Sequence, residues 1–219
     1  MTERIVEQLP FWDHLSSDEK ALVSERSFLR TFNANQLISN TDNSCTGIAF
    51  IVRGGIRTSL ISEEGKEITL FRLGSGECCV TTASCVIKQI SFGTLVTTTE
   101  ESTLLVVPAS LCEHLTTNNI YVKAFMLEVE AERYSQVVRV LQQMLFKRLD
   151  QRVASYLIER AQACSSPELK ITQDELARDI NSAREAVTRV LHRLADNGLI
   201  EVKRGRILIL NENGLRQLA

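Results

Sequence analysis

Ile171-Thr-Gln-Asp-Glu-Leu-Ala-Arg-Asp-Ile180 runs directly into Asn181-Ser-Ala-Arg-Glu-Ala-Val-Thr-Arg-Val-Leu-His-Arg-Leu194, and together they read as two short amphipathic helices joined by a tight turn. Thr172 stands three residues before Glu175, the spacing of a capping box, in which hydroxyl and carboxylate each satisfy a free N–H of the first turn. Leu176, Ala177 and Ile180 follow as a buried stripe. Asn181-Ser182 interrupts the pattern, and Ser182 with Glu185 repeats the capping spacing. Val187, Val190, Leu191 and Leu194 give the second helix its inward face. Arg184, Glu185, Thr188 and Arg189 lie off that face, mostly near the N-terminal end. A helix laid in the major groove of DNA presents its base-reading residues from that end. Arginine can donate two hydrogen bonds to guanine, and glutamate can accept from the cytosine amino group. Arg184, Glu185 and Arg189 are therefore the expected base readers. Thr172, Ser182, Thr188, His192 and Arg193 are assigned to the DNA backbone.

Downstream, Leu199-Ile-Glu-Val-Lys-Arg-Gly-Arg-Ile-Leu-Ile-Leu210 places two apolar strands on either side of a basic, glycine-containing turn, the outline of a hairpin wing. Lys203, Arg204 and Arg206 in that turn join the expected backbone contacts. The formal charge of the whole chain is only -2, and the residues after Asp150 are close to neutral. Any basic surface must then come from arrangement, not from excess.

Upstream, residues 4–25 carry helical apolar anchors at Val6, Leu9, Leu15 and Leu22, with Ser16-Ser17-Asp18-Glu19 starting a helix after Leu15. From Ser27 to Val107 the pattern changes to short strands: 28–32, 47–52, 56–61, 67–72, 94–97 and 102–107, punctuated by Gly54-Gly55, Gly65 and Gly74-Ser-Gly76. Regular spacing with turn signals predicts a small β-roll of jelly-roll type. A long helix follows from Asn119 to Arg148. Ile120, Ala124, Leu127, Ala131, Tyr134, Val138, Leu141 and Leu145 recur at alternating steps of four and three, the period of a two-stranded coiled coil. That stripe predicts a homodimer with Ala124, Leu127, Ala131, Tyr134, Val138, Leu141 and Leu145 at its interface. A second apolar set (Phe125, Val129, Val137, Val140, Met144) is expected to pack on the β-roll. Asp150 is expected to cap a further helix, Gln151 to Ala163.

The fold class is thus α+β, with a β-roll sensor domain at 1–118, a dimerisation helix and hinge at 119–149, and a winged helix-turn-helix at 150–219. At 219 residues two domains are expected, each able to bury a core. No apolar run reaches membrane-spanning length and no signal peptide is evident, so a cytoplasmic protein without a membrane partner is expected. Six cysteines in a chain of this size do not make a disulfide scaffold. No residues suggest an enzyme: a thiol oxidoreductase would want Cys-x-x-Cys at a helix start, and Cys78-Cys79 is not that.

This order of elements resembles the Crp/Fnr family of transcription regulators across essentially the whole chain. The likeness is most specific at Ile-Thr-x-x-Glu-Leu-Ala (171–177) and Arg-Glu-Ala-Val-Thr-Arg-Val-Leu (184–191). Weaker matches are Val52-Arg-Gly-Gly-Ile56, Glu64-Gly-Lys-Glu67 and Leu73-Gly-Ser-Gly-Glu77. The resemblance implies that the Arg-Glu-x-x-x-Arg spacing reads a TGTGA-like half-site. A dimer would then bind a palindrome with half-sites about one helical turn apart. It also implies contact with RNA polymerase, near Cys164-Ser-Ser-Pro-Glu168, and double-stranded DNA as the main partner.

The departures concern the effector. Cyclic-nucleotide-binding relatives carry a ribose-binding glutamate and an Arg-Ser pair for the phosphate, where this chain reads Cys78-Cys-Val-Thr-Thr-Ala-Ser-Cys85 and Ser91-Phe-Gly-Thr94. A buried phosphate would lack its counter-charge there, so cyclic AMP is not expected. An N-terminal iron–sulfur cluster is not expected either, because no cysteine precedes Cys45. The effector is left open, with Phe71, Glu77, Cys78, Cys79, Cys85, Phe92 and Tyr134 as its candidate pocket. Cys78, Cys79 and Cys85 could form a thiol or metal sensor, or serve as small core residues. Pairing of Cys78 with Cys85, or a metal held with Cys112 and His114, would test the first. An uncharged ligand near Phe71 and Phe92, haem at His14 or His114, and a ligand-sensing module without DNA binding also stay open. No metal site is assigned.

Overall fold

The computed structural model describes residues 2–40, 47–65, 67–79 and 94–219. Cys45, Cys85 and Phe92 lie outside them. The chain divides into two compact units, Met1–Val137 and Val138–Ala219, with the division falling inside one long helix.

The first unit opens with α1 (Thr2–Val6), a 3-10 turn (Trp12–His14) and α2 (Ser17–Arg26). A helix starts after Leu15 as expected, while the helical region upstream of it ends at Val6, four residues before Pro10, whose ring cannot continue a helix. Ser16 and Glu19 close a capping box at the start of α2: the Ser16 N–H donates to Glu19 Oε2 at 2.7 Å, and the Glu19 N–H to Ser16 Oγ at 3.3 Å.

The strands are β1 (Phe28–Phe32), β2 (Leu37–Asn40), β3 (Ile48–Arg53), β4 (Gly55–Ile61), β5 (Glu67–Gly74), β6 (Cys78–Cys79), β7 (Thr94–Thr98) and β8 (Ser102–Val107). They form two antiparallel sheets, in the orders β1-β8-β3-β6 and β2-β7-β4-β5. In the first sheet β3 and β8 are covered on both faces, which explains their nearly uninterrupted apolar runs. Ala49, Ile51, Cys79 and Leu104 point at Ile56, Leu70, Phe71, Leu73 and Val96 of the second sheet. Their alternates Ile48, Phe50, Cys78, Leu105 and Val107 point at the helices. Gly54, at φ +89°, turns β3 into β4, and a Cβ there would sit 2.6 Å from the Glu101 carbonyl oxygen. The short strands β2 and β6 were not expected from the sequence, being too brief for an alternation to show.

Ala109–Asn118 forms a helix, α3, which was not expected from the sequence. The long helix α4 runs from Ile120 to Phe146. Asn119 divides the two by accepting the N–H groups of Tyr121 (3.0 Å) and Val122 (3.3 Å) on its side-chain oxygen. Val122, Met126 and Val129 of α4 are buried in the core of the first unit, with Phe125 packed against it, and Val137 packs against the core between the sheets. Val140 and Met144, expected to join them, instead line a recess of the second unit with Arg152, Tyr156 and Ile180. No helix among the described residues is long and apolar enough to cross a membrane.

The second unit contains α5 (Leu149–Cys164), β9 (Glu168–Leu169), α6 (Gln173–Asp179), α7 (Arg184–Asp196), β10 (Ile200–Lys203), β11 (Arg206–Ile209) and α8 (Glu212–Leu218). One core joins Val153, Leu157, Leu176, Val187, Leu191, Leu194, Ile200, Ile207 and Leu215. Asp150 is not the N-cap of α5: the helix starts at Leu149, two residues earlier than expected, behind Arg148, whose N–H donates to Gln151 Oε1 at 3.0 Å. Asp150 Oδ1 accepts the Gln151 N–H at 3.0 Å, and Oδ2 holds Arg193, 3.1 Å away.

Candidate nucleic-acid interface

The interface is built on two helix starts. Thr172 caps α6: Thr172 Oγ1 accepts the Glu175 N–H at 3.2 Å, and Glu175 Oε2 accepts the Thr172 N–H at 2.8 Å. The helix ends at Ile180, and Asn181, at φ +54°, turns the chain. Here the expected Ser182–Glu185 box does not form. The Ser182 N–H donates to the Ala177 carbonyl at 2.9 Å, and α7 starts at Arg184 behind Ala183. Glu185 is then the second helical residue rather than the third, one position short of the reach a capping box needs. Its carboxylate is exposed, on the side of α7 away from the core.

Helix α7 buries Val187, Val190, Leu191 and Leu194 and leaves Arg184, Glu185 and Arg189 exposed, with Thr188 half-buried among them. Arg184 is held by a neighbour, its Nε lying 3.3 Å from Asp174 Oδ1 of α6. Thr188 Oγ1 lies 2.7 Å from Gln173 Oε1, also of α6. Neither Gln173 nor Asp174 figured among the expected site residues, although both stand in the first turn of α6, where a helix crossing the DNA backbone would place them.

Of the expected backbone contacts, His192 and Arg204 are exposed, and no ion pair or hydrogen bond engages either side chain among the described residues. Lys203 pairs with Glu201 at 3.1 Å and Arg206 with Glu168 at 3.0 Å. Such exposed pairs contribute little and exchange readily for another anion. The wing forms as expected, with Lys203 opposite Arg206 and Gly205 at φ +70° in the turn, and β9 adds an unexpected third strand to it.

Within the first unit, Phe71 and Cys79 share one core and Arg133 stands against both Phe71 and Glu77, whereas Cys78 and Tyr134 lie elsewhere. Cys78 and Cys79 are buried on opposite faces of β6, in different cores. Burial pushes the Cys78 thiol up to about 12, only partly opposed by the Arg133 guanidinium, and burial raises Cys112 to about 11. Neither is poised as a thiolate near neutral pH. Tyr134 is exposed on α4, whereas its neighbour Arg133 is 7% exposed and sits 5.5 Å from the Phe71 ring centroid. Arg133 Nη2 reaches Glu77 Oε1 at 3.3 Å, and the other Glu77 oxygen accepts the Gly74 N–H at 2.8 Å. Arg133 was not among the expected residues, yet it extends the buried register Val122, Met126, Val129 by one turn. That spacing was the available signal. His14 stacks on Tyr121 with ring centroids 4.1 Å apart.

Residues 151–218 match the family model of the Crp-like helix-turn-helix domain. The crystal structure of a candidate transcriptional regulator of the Crp/Fnr family from Eubacterium rectale ATCC 33656 is similar over 97% of this chain and 98% of that one, at 32% identity and a TM-score of 0.89. Transcriptional regulator SdrP of Thermus thermophilus is 38% identical over 95 residues, which span 41% of this chain and only 45% of that protein. The global nitrogen regulator of Synechocystis is 23% identical over 199 residues, 86% of this chain and 87% of that protein.

Proposed function

Because this chain belongs to the Crp/Fnr family and is a DNA-binding transcription regulator rather than an enzyme, we propose that it acts as a homodimer on a palindromic operator of TGTGA-like half-sites. Arg184, Glu185 and Arg189 read the bases. The observation that carries this reading is the two-sidedness of α7: one face is locked into the core of the second unit, and the opposite face offers two guanidinium groups and a carboxylate to solvent. Arg189 and Glu185 have no side-chain partner among the described residues, so no internal bond has to break for them to meet base edges. His192, Arg193, Lys203, Arg204 and Arg206 supply phosphate contacts, with Thr172, Ser182 and Thr188 at the same edge.

Dimerisation is supported by the bare stripe on α4. Ala124, Leu127, Ala131, Tyr134, Leu141 and Leu145 are exposed at heptad spacing, with Leu127 57%, Tyr134 72% and Leu145 73% exposed and Val138 half-buried. A row of large apolar side chains at this period is what a second copy of the helix covers. Control falls to an effector other than cyclic AMP acting on the first unit, and RNA polymerase is a partner on the DNA.

Selection from a random-sequence duplex pool tests the reading. Enrichment of a two-fold symmetric site is expected, and recovery of no preferred sequence would remove it. Sedimentation of the purified protein should give a dimer, and Leu127→Asp with Leu141→Asp should give a monomer.

A further inference from the structure

We infer that Asp174 is a positioning residue for base recognition: it holds the Arg184 guanidinium in its reading pose and, by its charge, penalises DNA that does not offer the matching base. The inference rests on the proposed reading of DNA by α7.

Three observations carry it. Asp174 and Arg184 approach to 3.3 Å with side chains 54% and 61% exposed, so the pair adds little to stability and both groups remain open to a ligand. The contact is made through Arg184 Nε, which leaves the terminal Nη1 and Nη2 edge available to fork onto guanine O6 and N7. Beside it, Gln173 engages Thr188 at 2.7 Å, so the first two residues of α6 each touch one residue of the reading face. An arginine otherwise loses several rotatable bonds on meeting a base, and a carboxylate that orders it beforehand reduces that cost.

The same carboxylate stands in the first turn of the helix that crosses the phosphate backbone in this kind of docking. Phosphates repel it. On a matched site the ordered Arg184 offsets that repulsion. On random duplex the same guanidinium finds no matching base, so no base contact offsets the repulsion and Asp174 separates the two classes of DNA.

Asp174→Asn tests this, since the near-isosteric amide keeps the helix start and removes the charge. Affinity for random duplex should stay equal or rise. Preference at the one base pair read by Arg184 should fall roughly three- to tenfold, a part of what a bidentate pair discriminates. The other positions of the selected site should be unchanged, and so should the melting temperature. In Arg184→Ala, adding Asp174→Asn should produce no further loss at that base pair. An Asp174→Asn protein with the parental preference at every position would overturn the inference while leaving the DNA reading intact. Equal weakening on all sequences would also overturn it, because that is what a merely structural role predicts. A parental protein that selects no sequence at all would instead sink the reading on which it rests.

Discussion

Thr172 and Ser182 each precede a glutamate by three residues, and they end in different states. Thr172 and Glu175 satisfy one another at the start of α6. Ser182 is spent on the turn, and Glu185, in the first turn of α7, has no side-chain partner among the described residues. The difference originates just before Ser182, where Asn181 takes a left-handed conformation that asparagine tolerates better than most residues. That turn delays the second helix and converts a would-be cap into a solvent-facing carboxylate. The lesson is that one local spacing can close a helix start or leave a carboxylate to solvent, and the turn between the helices chooses.

The contrast can be broken at graded cost. Leu191→Ala, on the face that α7 buries completely, should destabilise the second unit by about 2–5 kcal/mol, read from denaturant unfolding. On the opposite face, Arg189→Ala should leave unfolding unchanged and weaken operator binding by about 1–3 kcal/mol, with relaxed preference at one base pair. Thr172→Ala, which opens the working box, should lower unfolding stability by about 0.5–2 kcal/mol. Ser182→Ala should cost at most about 0.5 kcal/mol in the same measurement, since its side chain caps nothing. If Ser182→Ala proved as costly as Thr172→Ala, the distinction between the two helix starts would fall. Glu185→Gln should likewise spare stability and alter only base preference.

The two units also differ in how far their chemistry could be read beforehand. In the second, Arg184, Glu185 and Arg189 follow directly from helical periodicity, because a surface helix must show water whatever its core does not take. Residues that answer to distant partners were not legible in the same way. Asp150 pairs with Arg193 forty-three positions on, and Arg206 pairs with Glu168 thirty-eight positions back. In the first unit, Cys78 and Cys79 look alike in the chain, yet they point into separate cores because consecutive strand residues face opposite ways. Arg133 occupies a position that the helical period marks as buried, and only the fold supplies the Glu77 carboxylate and the Phe71 ring beside it.

Periodicity and helix-start chemistry, which act over three or four residues, were enough to set the longer strands and helices, though not β2, β6, β9, α3 or α8, together with the two faces of α7 and the apolar row on α4. Tertiary structure decided where α5 and α7 begin, which strands pair, which charges are already engaged and which remain for a ligand. Those outcomes depend on contacts tens of residues apart in the chain, whose free energy no local pattern encodes.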